Sequence, residues 1–234
     1  TKLVEKLSKK ISSSNKIIQG PFKGQIFADK LAVGSTYLPK ILGTYEIELL
    51  PVWEKVLNQD FDLLIDIGCA EGFYAVAMAK HFSNKKVYAF DVDQKALTLC
   101  KENALVNNVQ NLEILPLCTS EFLENNCTNK KTFIICDIEG GEDNLFKNTG
   151  VKCLLESTIL IELHDGVKRN ISENMKSIFS DTHDFISYFS TDDLHRPKKF
   201  HNFNTPNLND DDLFNAMKEN RAHIMEWVLF TPKI

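Results

Sequence analysis

Carboxylates and glycines stand at the ends of apolar runs in this chain, and their spacing limits the chemistry open to it. Leu63-Leu64-Ile65-Asp66-Ile67 opens into Gly68-Cys69-Ala70-Glu71-Gly72. Val87-Tyr88-Ala89-Phe90 ends in Asp91-Val92, and a third run ends near Cys118-Thr119-Ser120. Phe133-Ile134-Ile135-Cys136 ends in Asp137-Ile138-Glu139-Gly140-Gly141-Glu142, and Ile159-Leu160-Ile161 ends in Glu162-Leu163-His164-Asp165. A glycine loop closing one strand, followed by an acid closing the next, binds a nucleoside, because one carboxylate accepts both ribose hydroxyls. Loops that meet a pyrophosphate typically read GxGxxG. Here the glycines are spaced Gly68-x-x-x-Gly72, with Asp66 before them and Glu71 between. Carboxylates at that point repel a pyrophosphate and attract a cationic amino-acid group. S-adenosylmethionine, with its ammonium and sulfonium, satisfies this charge pattern better than NAD.

These residues need elements to position them. Strand-like runs lie near 62–67, 86–91, 112–118, 132–137 and 158–163, with helical patterns at 72–81, 94–107 and 142–148. Such alternation implies βαβ units and a parallel sheet covered on both faces, with ligands beyond the carboxyl ends of the strands. Asp93, just ahead of Ala96, Leu97, Cys100 and Ala104, is placed to cap the second helix. A helix near 170–180 and strand-like runs at 184–190 and 224–231 follow, the last two separated by an insertion over 191–222 that is helical near 210–220. Residues 1–60 read as an N-terminal appendage or cover to a domain over 61–234. In it, Leu3, Leu7 and Ile11 line a short helix, a small hairpin surrounds Gly20-Pro21, and a helix over 36–58 breaks or restarts at Pro51.

The ordered set of motifs resembles a known superfamily. Ile65-Asp66-Ile67-Gly68-Cys69-Ala70-Glu71-Gly72 resembles motif I of class I S-adenosylmethionine-dependent methyltransferases, and Val87-Tyr88-Ala89-Phe90-Asp91 resembles motif II. Asp137-Ile138-Glu139-Gly140-Gly141-Glu142, followed by Ile159-Leu160-Ile161-Glu162-Leu163-His164, is similar to the FkbM-like branch, which typically reads D-V/I-E-G-A-E and then an apolar strand with E-x-H. The resemblance covers residues 62–165; Cys69 and Gly141 depart from it, where alanine is more usual. It implies an α/β, Rossmann-like, doubly wound fold with a mainly parallel seven-stranded sheet and an antiparallel last strand, the place of Met225-Glu226-Trp227-Val228-Leu229-Phe230. It also implies that Asp66, Gly68 and Gly72 line the methionine end of S-adenosylmethionine, Asp91 the ribose and Cys118-Thr119-Ser120 the adenine, with Asp137 facing the methyl group. The cofactor-binding set is then Asp66, Gly68, Cys69, Glu71, Gly72, Asp91, Val92, Thr119, Ser120 and Asp137.

A hydroxyl acceptor must lose its proton to a positioned base. His164 is the candidate by residue type, with Asp137 and Glu139 next, as base or as acceptor anchors. Each residue also has a plainer reading. Gly68 and Gly72 let a helix pack on a strand, Glu139 and Glu142 satisfy a helix N-terminus, and His164 is satisfied by Asp165. Tyr45-Glu46 either covers the cofactor pocket or packs, while His195-Arg196, Lys198-Lys199 and Arg221 either bind an anionic acceptor or sit in a solvated loop. Asp137, Glu139 and Glu162 could converge on a metal ion, but helix capping accounts for them equally and no metal site is assigned. The fourth strand lacks the Asn/Asp-Pro-Pro-aromatic motif of exocyclic-nitrogen methylation, and a net charge of −5 opposes salt-driven nucleic-acid binding. The expected reaction is S-adenosylmethionine-dependent O-methylation of a small-molecule or sugar hydroxyl, with no nucleic-acid or membrane partner. An NAD-dependent oxidoreductase and a non-catalytic S-adenosylmethionine-binding protein are the alternatives.

The six cysteines form no CxxC pair or zinc-like rhythm, so buried free thiols in a reducing cytoplasm are expected. No apolar run approaches the ~18 residues of a membrane span. Lys2, Lys6, Lys9 and Lys10 precede no apolar stretch of the secretory kind. A first residue of Thr1 rather than Met is read as a trimmed or disordered leader.

Overall fold

The structure, a computed structural model, describes residues 2–204 and 208–233; Thr1, the site of the expected leader, and 205–207 of the expected insertion lie outside the described residues. The chain opens with α1 (Lys2–Ile11), α2 (Tyr37–Leu42) and α3 (Leu50–Val56). Strands and helices then alternate through β1 (Leu63–Ile67), α4 (Phe73–His81), β2 (Lys86–Phe90), α5 (Gln94–Val106) and β3 (Leu112–Leu115). α6 (Ser120–Cys127), β4 (Thr132–Cys136), α7 (Glu142–Thr149) and β5 (Thr158–Leu163) continue the pattern. α8 (Ile171–Phe179), β6 (His183–Phe189), α9 (Arg196–Lys199), α10 (Asp210–Met217) and β7 (Glu226–Pro232) complete it.

The strands form one seven-stranded sheet in the order β3-β2-β1-β4-β5-β7-β6. β1 to β5 run parallel, and β7 lies antiparallel between β5 and β6. This is the α/β, Rossmann-like, doubly wound fold with an antiparallel last strand. β1, β4 and β5 are buried along their whole length, as strands covered on both faces must be. On one face Leu64, Phe73 and Phe133 pack with Leu7, Leu42 and Trp53. On the other, Ile65, Ile134 and Ile161 pack with Leu123, Phe146 and Phe179. Residues 2–60 thus form a covering layer that shares the core of the sheet.

Local structure sharpens the expectation at three places. Around Gly20-Pro21 the chain doubles back as an irregular hairpin without regular strands: Lys16 bridges Ile26, the Ile17 N–H donates to the Gln25 carbonyl at 2.9 Å and the Phe27 N–H to the Asn15 carbonyl at 3.0 Å. Pro51 restarts the helical course, one of the two expected readings: it sits in the first turn of α3, where its fixed φ suits a helix start, after α2 has ended at Gly43, with φ +78°. β3 stops at Leu115, since Pro116 has no N–H to extend a ladder. α6 then follows, capped by the Thr119 hydroxyl, which accepts from the Phe122 N–H at 3.1 Å. All six cysteines are free and buried. Among the described residues no helix is long and apolar enough to cross a membrane.

Candidate active site

Strand register creates the site. Ile67 pairs with Phe90 on one side and with Cys136 on the other, so the chain leaves β1, β2 and β4 at one level. Gly68, Asp91 and Asp137 therefore emerge side by side. Gly68 has φ +84°, and a Cβ there would lie 1.7 Å from the Asp137 carbonyl oxygen, so only glycine fits. The Gly68 and Cys69 N–H groups both donate to the Phe90 carbonyl, at 2.8 and 2.9 Å. Ala70 then turns through φ +47° and its N–H donates to Asp91 Oδ2 at 2.8 Å. The Asp93 N–H donates to Asp91 Oδ1, also at 2.8 Å. Backbone donors thereby fix the Asp91 carboxylate while each oxygen keeps a lone pair for a ligand. Asp93 caps α5 as expected, accepting from the Lys95 N–H.

Three clefts meet along these strand ends. The largest, about 450 Å³, is lined mainly by apolar groups, among them Phe90, Val92, Leu117, Cys118 and Ile138. It offers walls suited to a planar base. Thr119 and Ser120 do not line it; they begin α6, and Pro116, Leu117 and Cys118 take the place expected of them. The second, about 180 Å³, is bordered by Asp66, Gly68, Cys69, Asp91 and Tyr45. Asp66 Oδ2 is buried there without a hydrogen-bond partner. Burial, aided by the charges of Asp91 and Glu71, pushes the Asp66 carboxyl up to about 8. An orphaned buried acid beside a cavity fits an ammonium. The third, about 190 Å³, holds Asp137, Glu139, Glu162, His164 and Arg221. Asp137 and Glu139 border all three clefts, so the three form one groove with its crossing at the end of β4.

The third cleft is crowded with charge. His164 Nδ1 lies 2.7 Å from Glu142 Oε1, not against Asp165, which instead accepts from the Ser172 N–H. Glu142 is fully buried and also accepts from the Gly140 N–H at 3.2 Å. Burial alone pulls the His164 imidazole down. The Glu142 hydrogen bond and the charges of Glu162, Glu142 and Glu139 outweigh that, so its pKa is raised. The surrounding carboxylates thus favour positive charge at this ring. Burial, then Glu46 and Glu139, push Asp137 up to about 7, and Glu162 is raised well above the usual range for the same reason. Arg221 balances part of this charge through Glu162, Glu46 and Glu219.

Two expected cofactor residues are used elsewhere. Glu71 is fully buried, pairs with Lys40 and accepts from the Val33 N–H at 2.9 Å, so it ties the loop to the N-terminal cover instead of lining the groove. Gly72 faces α5: a Cβ there would lie 2.5 Å from Cys100 Sγ, so its freedom serves helix packing. Arg196, expected either to bind an anionic acceptor or to sit in a solvated loop, is fully buried. Its guanidinium donates to the Met217 carbonyl at 3.0 Å and to the Thr44 carbonyl, and pairs with Glu48 and Glu219. No local pattern marks either Arg196 or Arg221, because their partners are far off in sequence.

Comparison with known proteins agrees with this geometry over part of the chain. The ribosomal protein L11 methyltransferase (PrmA) family matches residues 48–140, the stretch that holds α3, the glycine loop and the ends of β1, β2 and β4. The chain is 39% identical over 70 residues to the ribosomal protein L11 methyltransferase of Caldicellulosiruptor saccharolyticus, covering 29% of this chain and 22% of that protein. It is 41% identical over 46 residues to the release factor glutamine methyltransferase of Flavobacterium psychrophilum, covering 20% and 16%. The chain thus spans a fifth or so of the length of these curated relatives. In fold it is similar to an rRNA methylase from Streptococcus thermophilus, with a TM-score of 0.51, 14% identity and coverage of 80% of this chain and 97% of that one. These findings overturn the exclusion of nucleic acid that net charge and the missing fourth-strand motif suggested. Proteins similar to this chain are described as acting on a ribosomal protein and a release factor, and the same fold serves an rRNA methylase. Net charge is a whole-molecule sum and does not report the surface beside one groove.

Proposed function

We propose that this chain is a class I S-adenosylmethionine-dependent methyltransferase and that it methylates a hydroxyl oxygen presented at the cleft of Asp137, Glu139, Glu162 and His164. The observation that carries the reading is the meeting of all three clefts at Asp137 and Glu139. When bound, S-adenosylmethionine supplies an electrophilic methyl group. Asp91 holds the ribose hydroxyls, Asp66 the ammonium, and the walls at Val92, Leu117 and Ile138 the base. The FkbM-like pattern Asp137-x-Glu139-Gly140 with Glu162-x-His164 supports an oxygen acceptor. So does the charge of the cleft, since clustered carboxylates favour the protonated form of an amine, and an ammonium has no lone pair with which to attack. Much of the rate in such a displacement comes from alignment, worth roughly 7–11 kcal/mol.

Asp137 and His164 fix the acceptor, and Glu139 takes its proton. Glu139 stands 3.4 Å from His164 Nε2, and its side chain is 74% exposed, so it can pass the proton on to water. Glu139→Gln is expected to slow turnover by about 10²–10⁴-fold while leaving the affinity for S-adenosylmethionine unchanged. Equal loss of binding would move Glu139 from chemistry to cofactor binding. The hydroxyl's carrier can be a free molecule or a macromolecule; the substrates named for the relatives support a component of the translation apparatus. The buried, unpaired thiols suit a reducing cytoplasm. The test is to supply methyl-labelled S-adenosylmethionine with a fractionated cell extract and to identify the labelled atom by mass spectrometry. Label on oxygen in the small-molecule, protein or RNA fraction supports the reading and names the carrier. Label on nitrogen or carbon contradicts it.

A further inference from the structure

The third cleft contains more than an acceptor's anchors. Around His164 Nε2 stand three carboxylate oxygens: Asp137 Oδ1 at 3.4 Å, Glu139 Oε2 at 3.4 Å and Glu162 Oε2 at 3.7 Å. None of these contacts is a hydrogen bond; the single hydrogen bond of the ring is on the other nitrogen. Two donors held about 2.1 Å from one ion lie roughly 3.0–3.4 Å apart at octahedral or tetrahedral angles. The oxygens therefore surround the nitrogen at the spacing of co-ligands. One donor atom each from Asp137, Glu162 and His164 all lie within 4.8 Å of one another.

Two further observations point to a ligand. Asp137 Oδ1 is buried and has no hydrogen-bond partner among the described residues. The His164 side chain is 3% exposed, yet the residue lines the cleft and its Nε2 has no hydrogen-bond partner. With Nδ1 engaged by Glu142, the Nε2 lone pair is the valence left to the neutral ring. Glu142, itself fixed by the Gly140 N–H, plays the part of the outer carboxylate that sets the tautomer of a metal-bound histidine. Charge agrees as well. Arg221 reaches Glu162 through Oε1 and leaves Oε2 free. Neither Asp137 nor Glu139 has a lysine or arginine partner among the described residues.

The geometry points to a divalent-cation site formed by Asp137, Glu162 and His164, with room at the mouth beside Glu139 for oxygen atoms of water or of an acceptor. Two carboxylates and one imidazole suit Mn²⁺ and its first-row neighbours better than Ca²⁺. The site depends on these side chains alone and stands whether or not the chain proves to be a methyltransferase. Mn²⁺ is the probe. Titration of the full chain, followed by electron paramagnetic resonance with pulsed detection of ligand nuclei, is expected to show one tightly bound Mn²⁺ per chain with coupling to a ¹⁴N nucleus. That coupling is absent in His164→Gln, bound Mn²⁺ is lost in Asp137→Asn, and the affinity of Glu142→Gln falls about 10–100-fold. No saturable Mn²⁺ binding by the unmodified chain overturns the site. So does binding without nitrogen coupling, a result that needs no variant to fold.

Discussion

Asp66 is the residue whose chemistry is most exposed to test. Its carboxyl sits at about 8 because it is buried and faces other acids, so near neutral pH the ligand-free chain holds it protonated. A bound ammonium favours the carboxylate, and binding then releases a proton. By linkage, affinity for S-adenosylmethionine tightens as pH rises from 6 towards 7.5, approaching about tenfold per pH unit, and flattens near 8, where an α-amino group begins to lose its own charge. Asp66→Asn removes that slope. The sign for stability is opposite: the folded chain binds this proton more tightly than the unfolded chain, so the contribution of Asp66 to stability falls as pH rises through about 8. Calorimetry across this range, with and without the substitution, reads both. A pH-independent affinity in the unmodified chain would remove Asp66 from the ammonium site.

The turn after β1 is where one element's geometry decides the site. Gly68 lets β1 and β4 deliver their ends to the same groove, and its missing Cβ leaves room for the Asp137 carbonyl. Gly68→Ala adds the cost of a left-handed alanine to a backbone collision, together about 2–5 kcal/mol. Denaturant unfolding is expected to show that loss, accompanied by loss of cofactor binding; an unchanged midpoint would mean the turn relaxes freely. This element was legible because it combines short apolar runs, an acid and two glycines within ten residues of sequence. The strands of the parallel core were legible for the same reason, each being an apolar run closed by a polar residue. α6 was not, since a single capping Thr119 and the apolar residues Leu123 and Cys127 give too weak a period between two strands. Glu71 misled because its type suits a cation, and only its burial against Lys40 reveals that the cation is the protein's own. His164 was found as a residue, but its partner Glu142 lies 22 positions away at the start of α7.

At the scale of the whole molecule, the cover and the insertion are bound to the sheet by buried charge. Arg196 reaches Glu48 and Glu219, while Arg221 joins Glu219, Glu46 and Glu162. One network thus runs from the insertion, through the N-terminal layer, to the third cleft. Its members are as many as 175 positions apart, which is why sequence reading left 1–60 between appendage and cover, and Arg196 between an anion site and a solvated loop. Removing one partner leaves the others buried and uncompensated, so Arg196→Met is expected to cost about 3–5 kcal/mol of unfolding free energy. A loss below ~1 kcal/mol in thermal or denaturant unfolding would show the network to be dispensable. The groove that this network frames is the centre of the account, and its occupant is directly measurable. Thermal unfolding of the chain with S-adenosylmethionine at 100 times its Kd is predicted to show stabilisation of about 2.7 kcal/mol, abolished by Asp91→Ala. Stabilisation by NAD and none by S-adenosylmethionine would contradict it.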